Sequence, residues 1–241
     1  MANEANIPAF LGEKDTFSIS SDFVNFATGT DGWTSLVVDA GTSVAVNDAR
    51  GGVLTLTSGA TDNNEVMVRS TTELFLPTAS RPSFARVRLS HAEANTDDAN
   101  LFFGFASAAG ANLMVDDGAG PRVTGSIFCV EKRDGETAWR CTTRNGTTVT
   151  TTLSGTANNM TSGEYHELEL HIKERDALNC VVTFLYDGIY LRDTTTYANV
   201  IEHVVAYASL TEMNFVPLYV KAGSANSEVP LVDWSLAAQT R

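Results

Sequence analysis

The residues best able to do chemistry sit in two short runs. His166-Glu167-Leu168-Glu169-Leu170-His171 sets two histidines around two carboxylates. The composition suits zinc, but the spacing does not. A zinc-protease motif needs its histidines four apart on one helix face. Here the stretch alternates with period two, and the odd separation of His166 and His171 puts them on opposite faces of a strand. They cannot share one ion, so both are read as structural. The second run is Glu131, Asp134 and Glu136. A glycosidase needs two carboxyl groups converging on one sugar, roughly 5 to 9 Å apart. Spacings of three and then two, across a turn at Asp134-Gly135, do not set carboxylates at alternate positions of one strand. No catalytic residue is assigned, and no enzyme is expected.

Three loops are rich in oxygen: Asp62-Asn63-Asn64-Glu65, Asp97-Asp98 and Asp116-Asp117-Gly118. Calcium takes six to eight oxygen ligands from such loops. Asp116 and Asp117 are the weak calcium candidates; solvated turns have the same composition, and no other cofactor is expected. Trp33, Trp139 and Trp234 could stack on sugars. Alternation groups Trp234 with Val232 and Leu236, a core position, and core packing is the preferred reading for all three. Asn145-Gly146-Thr147 and Asn159-Met160-Thr161 match the glycosylation sequon. Met1 to Phe10 shows no secretory leader, so these are read as accidental. Cys129, Cys141 and Cys180 lack metal or redox spacing and are expected as free, buried thiols. The alternative is a bridge between Cys129 and Cys141, which flank the Arg133–Glu136 turn about symmetrically.

The chain has 241 residues, 43% of them hydrophobic, with a net charge of −13. That is enough for one substantial core. Such acidity argues against nucleic acid and against an anionic membrane as partners. No apolar run reaches the roughly 18 residues of a membrane span.

The elements that must position these residues are strands. Tyr165 to Leu191 holds two period-2 strands closed by an Asp187-Gly188 turn. Leu168, Leu170 and Ile172 share one face with His166. Glu167, Glu169, His171 and Lys173 share the other. Phe84 to Ser90 alternates with Ala85, Val87 and Leu89 inward. Leu101 to Ala106 is apolar on both faces, as a central strand is. Asn145-Gly146 predicts a hairpin with a type I′ turn, in which Arg144 faces Thr147 and Cys141 faces Thr150. Only Ala198 to Met213 has helical spacing, through Val200, Ile201, Val204, Val205 and Ala208, and one short helix is expected there. Met1 to Ser21 is polar and aperiodic, with Ile7, Phe10, Leu11 and Phe17 among its apolar anchors. It reads as an arm that orders on a partner. The expectation is an all-β, two-sheet antiparallel jelly-roll sandwich, with residues 1–30 as arm and lead-in and 31–241 as one domain.

Gly51-Gly52-Val53-Leu54-Thr55-Leu56, then Leu101 to Ala106, then Val181 to Gly188, then Val232-Asp233-Trp234 come in an order that resembles the concanavalin A-like (laminin G-like) jelly rolls of tailed-phage virions. The resemblance spans about Trp33 to Leu236. It implies a capsid decoration or cement protein on the virion exterior, made in the host cytoplasm. Its partners would be the major capsid protein and copies of itself, as a homo-oligomer such as a trimer. The arm, through Ile7, Phe10, Leu11 and Phe17, would make some of those contacts. Lectin-type modules of this architecture often hold calcium. The alternative reading is a carbohydrate-binding or receptor-binding module of a head or tail fibre.

Overall fold

The structure is a computed structural model that describes residues 16–24, 26–48, 51–94, 98–146, 148–157, 164–194 and 199–241. Among them are eighteen strands and no helix. Nine strands form one sheet. Its main path runs β15 (Ile189–Tyr190), β14 (Asn179–Tyr186), β13 (His166–Glu174), β6 (Ser83–Ser90), β18 (Leu231–Thr240), β4 (Val53–Thr57) and β3 (Ser43–Asp48). β1 (Thr16–Ser21) pairs with β18, and β16 (Glu202–Ala206) pairs with β14. Seven strands form the second sheet, in the order β12 (Thr148–Ala157), β11 (Ala138–Asn145), β10 (Ile127–Lys132), β7 (Asn100–Ala106), β17 (Asn214–Lys221), β5 (Glu65–Ser70) and β2 (Trp33–Val37). A small ribbon of β8 (Met114–Val115) and β9 (Gly120–Pro121) completes the set. All pairings between these strands are antiparallel.

The core lies between the sheets and follows the alternation in the sequence. β6 contributes Ala85, Val87 and Leu89; β13 contributes Leu168, Leu170 and Ile172; β7 contributes Leu101, Phe103 and Phe105. Phe75 links them, with ring centroids 4.8 Å from Phe105 and 5.1 Å from Phe17. β7 is buried along its whole length between β10 and β17. Gly104 holds φ +145°, and a Cβ there would strike the Phe128 carbonyl, so only glycine lets the two strands pair at that point.

A second apolar cluster covers the outer face of the seven-stranded sheet. Leu113, Met114 and Ala109, from the segment after β7, pack on Phe102, Ile127, Cys129, Val216 and Tyr219. Buried polar bonds pin the segment. The Lys221 ammonium donates to Asn112 Oδ1 (3.2 Å), to the Met114 carbonyl (3.3 Å) and to Asp116. Glu65 accepts from the Asn112 amide at 2.8 Å and from the Tyr219 hydroxyl.

Several expectations change. No helix forms in the described part of 198–213; Glu202–Ala206 is strand β16. Its register on β14, with Val205 opposite Cys180, buries Val205 and His203 and exposes Val204. That alternation suits the β-branched residues better than a helix does. Thr16–Ser21 is a strand, running from Thr16 opposite Thr240 to Ser21 opposite Ser235. Phe17 therefore faces the core. Ile7, Phe10 and Leu11 lie outside the described residues. The three cysteines are free and buried. Cys141 pairs with Val130 and Cys129 with Thr142, so the two thiols lie on opposite faces and cannot bridge. The β11–β12 hairpin has Asn145 opposite Thr148, Arg144 opposite Val149 and Cys141 opposite Thr152. The register is two residues from the expected one, a shift that keeps every side chain on its face. In β18 the pairing jumps between Val232 and Trp234. That bulge at Asp233 turns Trp234 away from Val232 and onto the outer face.

Candidate functional site

The segment that leads from β1 to β2 builds a cleft of about 260 Å³. Leaving Ser21, the chain turns sharply. Phe23 sits at φ +53°, with its amide donating to Ser21 Oγ at 2.9 Å. A positive φ at an aromatic residue is strained. What holds it is packing: Phe23 is buried, with its ring centroid 6.0 Å from Phe26 and 5.8 Å from Trp33. The Asp22 carbonyl also runs against Gly52, where any Cβ would clash.

From Ala27 the chain doubles back. Thr30 donates through its amide (3.1 Å) and hydroxyl (2.6 Å) to the Ala27 carbonyl. Gly29 donates to the Trp33 carbonyl at 2.8 Å, and the Trp33 amide donates to Thr30 at 2.9 Å. Asp31 and Gly32 both have positive φ, which fits the Thr28-Gly29-Thr30-Asp31-Gly32 turn composition.

The walls are mixed in chemistry. Ser20, Ser21, Asp22, Thr30 and Asp31 bring oxygens; Phe26 and Trp33 bring rings. Asp22 and Asp31 are exposed, and neither forms an ion pair among the described residues. Trp33 is 2% exposed, and its indole N–H has no hydrogen-bond partner among the described residues. Burying a donor unsatisfied costs about 1–3 kcal/mol. Asp22 Oδ1 accepts from the Val24 amide at 3.5 Å. The cleft is thus lined by two exposed carboxylates without a cation partner among the described residues and by a tryptophan whose buried donor lacks an acceptor there.

The residues singled out in the sequence do not meet in any one site. His166 stacks on Tyr186 at 5.1 Å and lies 2.7 Å from an Asp187 oxygen. His171 faces the other way, 3.2 Å from Glu169 and 5.2 Å from the Phe84 ring. Glu167 and Glu169 both pair with Arg86. Glu131 is wholly buried, 2.8 Å from Arg133 and 2.7 Å from the Thr142 hydroxyl. Burial raises its pKa, and the Arg133 charge partly offsets this. A buried carboxylate cannot reach a polymeric substrate, and Glu136 is engaged by Arg140. Asp116 already holds a cation, the Lys221 ammonium, and Asp117 is exposed at φ +56°. Among the described residues no cluster of three or more His, Cys, Asp and Glu is placed to hold a metal. Trp139 is buried and Trp234 is half-buried under Arg86, whose Cζ is 5.4 Å from the ring. The cleft straddles the boundary read at residue 30: Ser20 to Thr30 fell in the arm and lead-in, and Asp31 and Trp33 in the domain. Its signals were present in Trp33 and the Asp-Gly turn before it, but nothing in the sequence shows that Ser20 and Thr30 approach one another.

No protein-family model matches the sequence, and no curated protein matches it. Solved structures do match. An endo-1,3-beta-glucanase from Streptomyces sioyaensis superposes with a TM-score of 0.61 at 14% identity, over 97% of this chain and 99% of that one. Lectin I from Ulex europaeus, solved with the methyl glycoside of alpha-L-fucose, gives 0.56 at 12% over 94% and 98%. Peanut lectin gives 0.53 at 15% over 93% and 97%. The fold is therefore the concanavalin A-like jelly roll, which is found in these lectins and in a glucanase. None of these three structures is named as a phage protein, so the capsid-decoration reading rests on the sequence resemblance alone.

Proposed function

We propose that the protein is a non-enzymatic, lectin-like carbohydrate-binding module and that the Ser20–Trp33 cleft is its site. The observation that carries this is one cleft lined both by exposed carboxylates without a cation partner among the described residues and by a tryptophan whose indole N–H lacks an acceptor there. A cation or ammonium could bind the carboxylates but could not accept from the indole. An anion could accept from the indole but would be repelled by Asp22 and Asp31. A hydroxyl donates and accepts at once. A sugar offers several hydroxyls on a body whose C–H face suits the Phe26 ring. The likeness of the fold to lectins supports the same reading.

Glycan-array screening followed by calorimetry tests it. Asp22→Asn with Asp31→Asn should weaken binding of any hit by about 10- to 100-fold, the value of hydrogen bonds to charged acceptors. Trp33→Phe, which keeps the ring and removes the N–H, should cost about 10-fold. Binding that ignores all three substitutions would place the site elsewhere, and loss on chelation alone would point to a metal-dependent one. Placement on a phage particle is a separate proposal. It is supported only by the resemblance of the strand order, and the copy number of the chain in purified particles tests it.

A further inference from the structure

The charge on the Ser20–Trp33 cleft is of one sign. Asp22 and Asp31 line it and are exposed, and no lysine, arginine or histidine is among the described residues that line it with them. Both carboxylates stand on fixed backbone. The Phe23 ring beside Asp22 is buried at φ +53° against Phe26 and Trp33. Asp31, at φ +50°, sits in the turn closed by the bonds from Thr30 to Ala27 and from Trp33 to Thr30. Asp22 spends only Oδ1 on the Val24 amide, at 3.5 Å. Two negative groups are thus held at one cleft, on a chain whose net charge is already −13.

That charge narrows the chemistry of a ligand. A neutral hydroxyl donates one hydrogen bond to a carboxylate and leaves its charge uncompensated. An ammonium donates three and brings the opposite charge. A divalent metal is not favoured: calcium takes six to eight oxygen ligands, and among the described residues no three His, Cys, Asp and Glu are placed to hold a metal. A small alkylammonium would leave the apolar wall unused. Val24, 38% exposed, and the half-buried Phe26 ring form that wall, and it suits the C–H face of a sugar. A sugar with an amine uses both kinds of surface at once.

We propose that this cleft selects sugars that bear a free, protonated amine, a specificity that rests on the carbohydrate-binding reading. The ammonium would lie against Asp22 and Asp31, and the sugar ring against Phe26 and Val24. Tetramers of glucosamine, N-acetylglucosamine and glucose, identically linked and differing only at carbon 2, test this by NMR titration of the 15N-labelled chain. The glucosamine tetramer should shift the Thr30, Asp31 and Trp33 signals and bind about 2- to 30-fold tighter than the other two, the value of two exposed ion pairs. Going from about 10 to about 150 mM sodium chloride cuts the screening length from about 30 to about 8 Å, so the preference should narrow while the affinity for the glucose tetramer holds. With Asp22→Asn and Asp31→Asn together, both at exposed positions, the three tetramers should bind alike. Equal affinities in the parent chain, with the cleft signals responding, would overturn the amine specificity and leave the carbohydrate reading standing. A preference that survives both substitutions would overturn it too, because the amine would then be read elsewhere. Methylammonium binding the cleft as tightly as the glucosamine tetramer would also overturn it, by showing that charge alone is read. Cleft signals silent toward all three tetramers overturn both readings.

Discussion

His203 shows how one residue can couple stability to pH. It is 3% exposed, bonded on both ring nitrogens to threonines, with the Phe184 ring 5.2 Å away. Burial takes its pKa from an ordinary 6.5 to about 4. The folded state therefore binds its proton less readily than the unfolded chain. The stability this provides is complete above pH 6.5 and is lost as pH falls through 4. A shift of that size corresponds to about 3 kcal/mol. Glu131 works in the opposite sense: its raised pKa makes the folded state bind a proton more readily, so that contribution is lost as pH rises above the ordinary carboxylate range. A His203→Gln chain, unable to charge, should separate the two. Denaturant midpoints measured from pH 7 to pH 5 should fall less steeply in the variant than in the parent. Parallel slopes would show that His203 is not buried neutral.

At the scale of the element, β1 is the strand whose role changes most. Phe17 and Ile19 pack against the core and alternate with Ser18 and Ser20 on the outer face. A chain beginning at Asp15 keeps this strand, and one beginning at Asp22 loses it. Half-burying two such side chains contributes about 1.5–3 kcal/mol. The shorter chain should therefore melt roughly 3–12 °C below the longer one. Equal melting temperatures would mean that β1 is dispensable. The other local departures from simple alternation also have chemical causes. Pro217 cannot donate to a ladder, and the β17–β7 register jumps between Val216 and Tyr219 around it. Asp233 is the inserted residue in β18, and its carboxylate pairs with Arg88.

For the whole molecule, the first and last strands of the described chain, β1 and β18, pair in one sheet, with Thr16 opposite Thr240. The net charge of −13 acts on the compact state as self-repulsion. Raising sodium chloride from about 10 to about 150 mM shortens the screening length to about 8 Å. It should raise the melting temperature by roughly a few degrees; a fall would mean that local ion pairs such as Arg86–Glu167 outweigh the net field. The all-β class, the inward faces of β6 and β13, the doubly buried β7 and the free thiols were legible in the sequence. Each follows from period-two alternation or residue type, which are local. Three things were not legible. The strand identity of β16 depends on its partner β14. The inclusion of β1 depends on a strand more than two hundred residues away in sequence, as the Thr16–Thr240 pairing shows. The cleft depends on which loops and strands meet. Alternation says which side of a strand is wet, but a hydroxyl, a carboxylate and an indole become a site only when tertiary packing brings them to one place and leaves a bonding group without a partner.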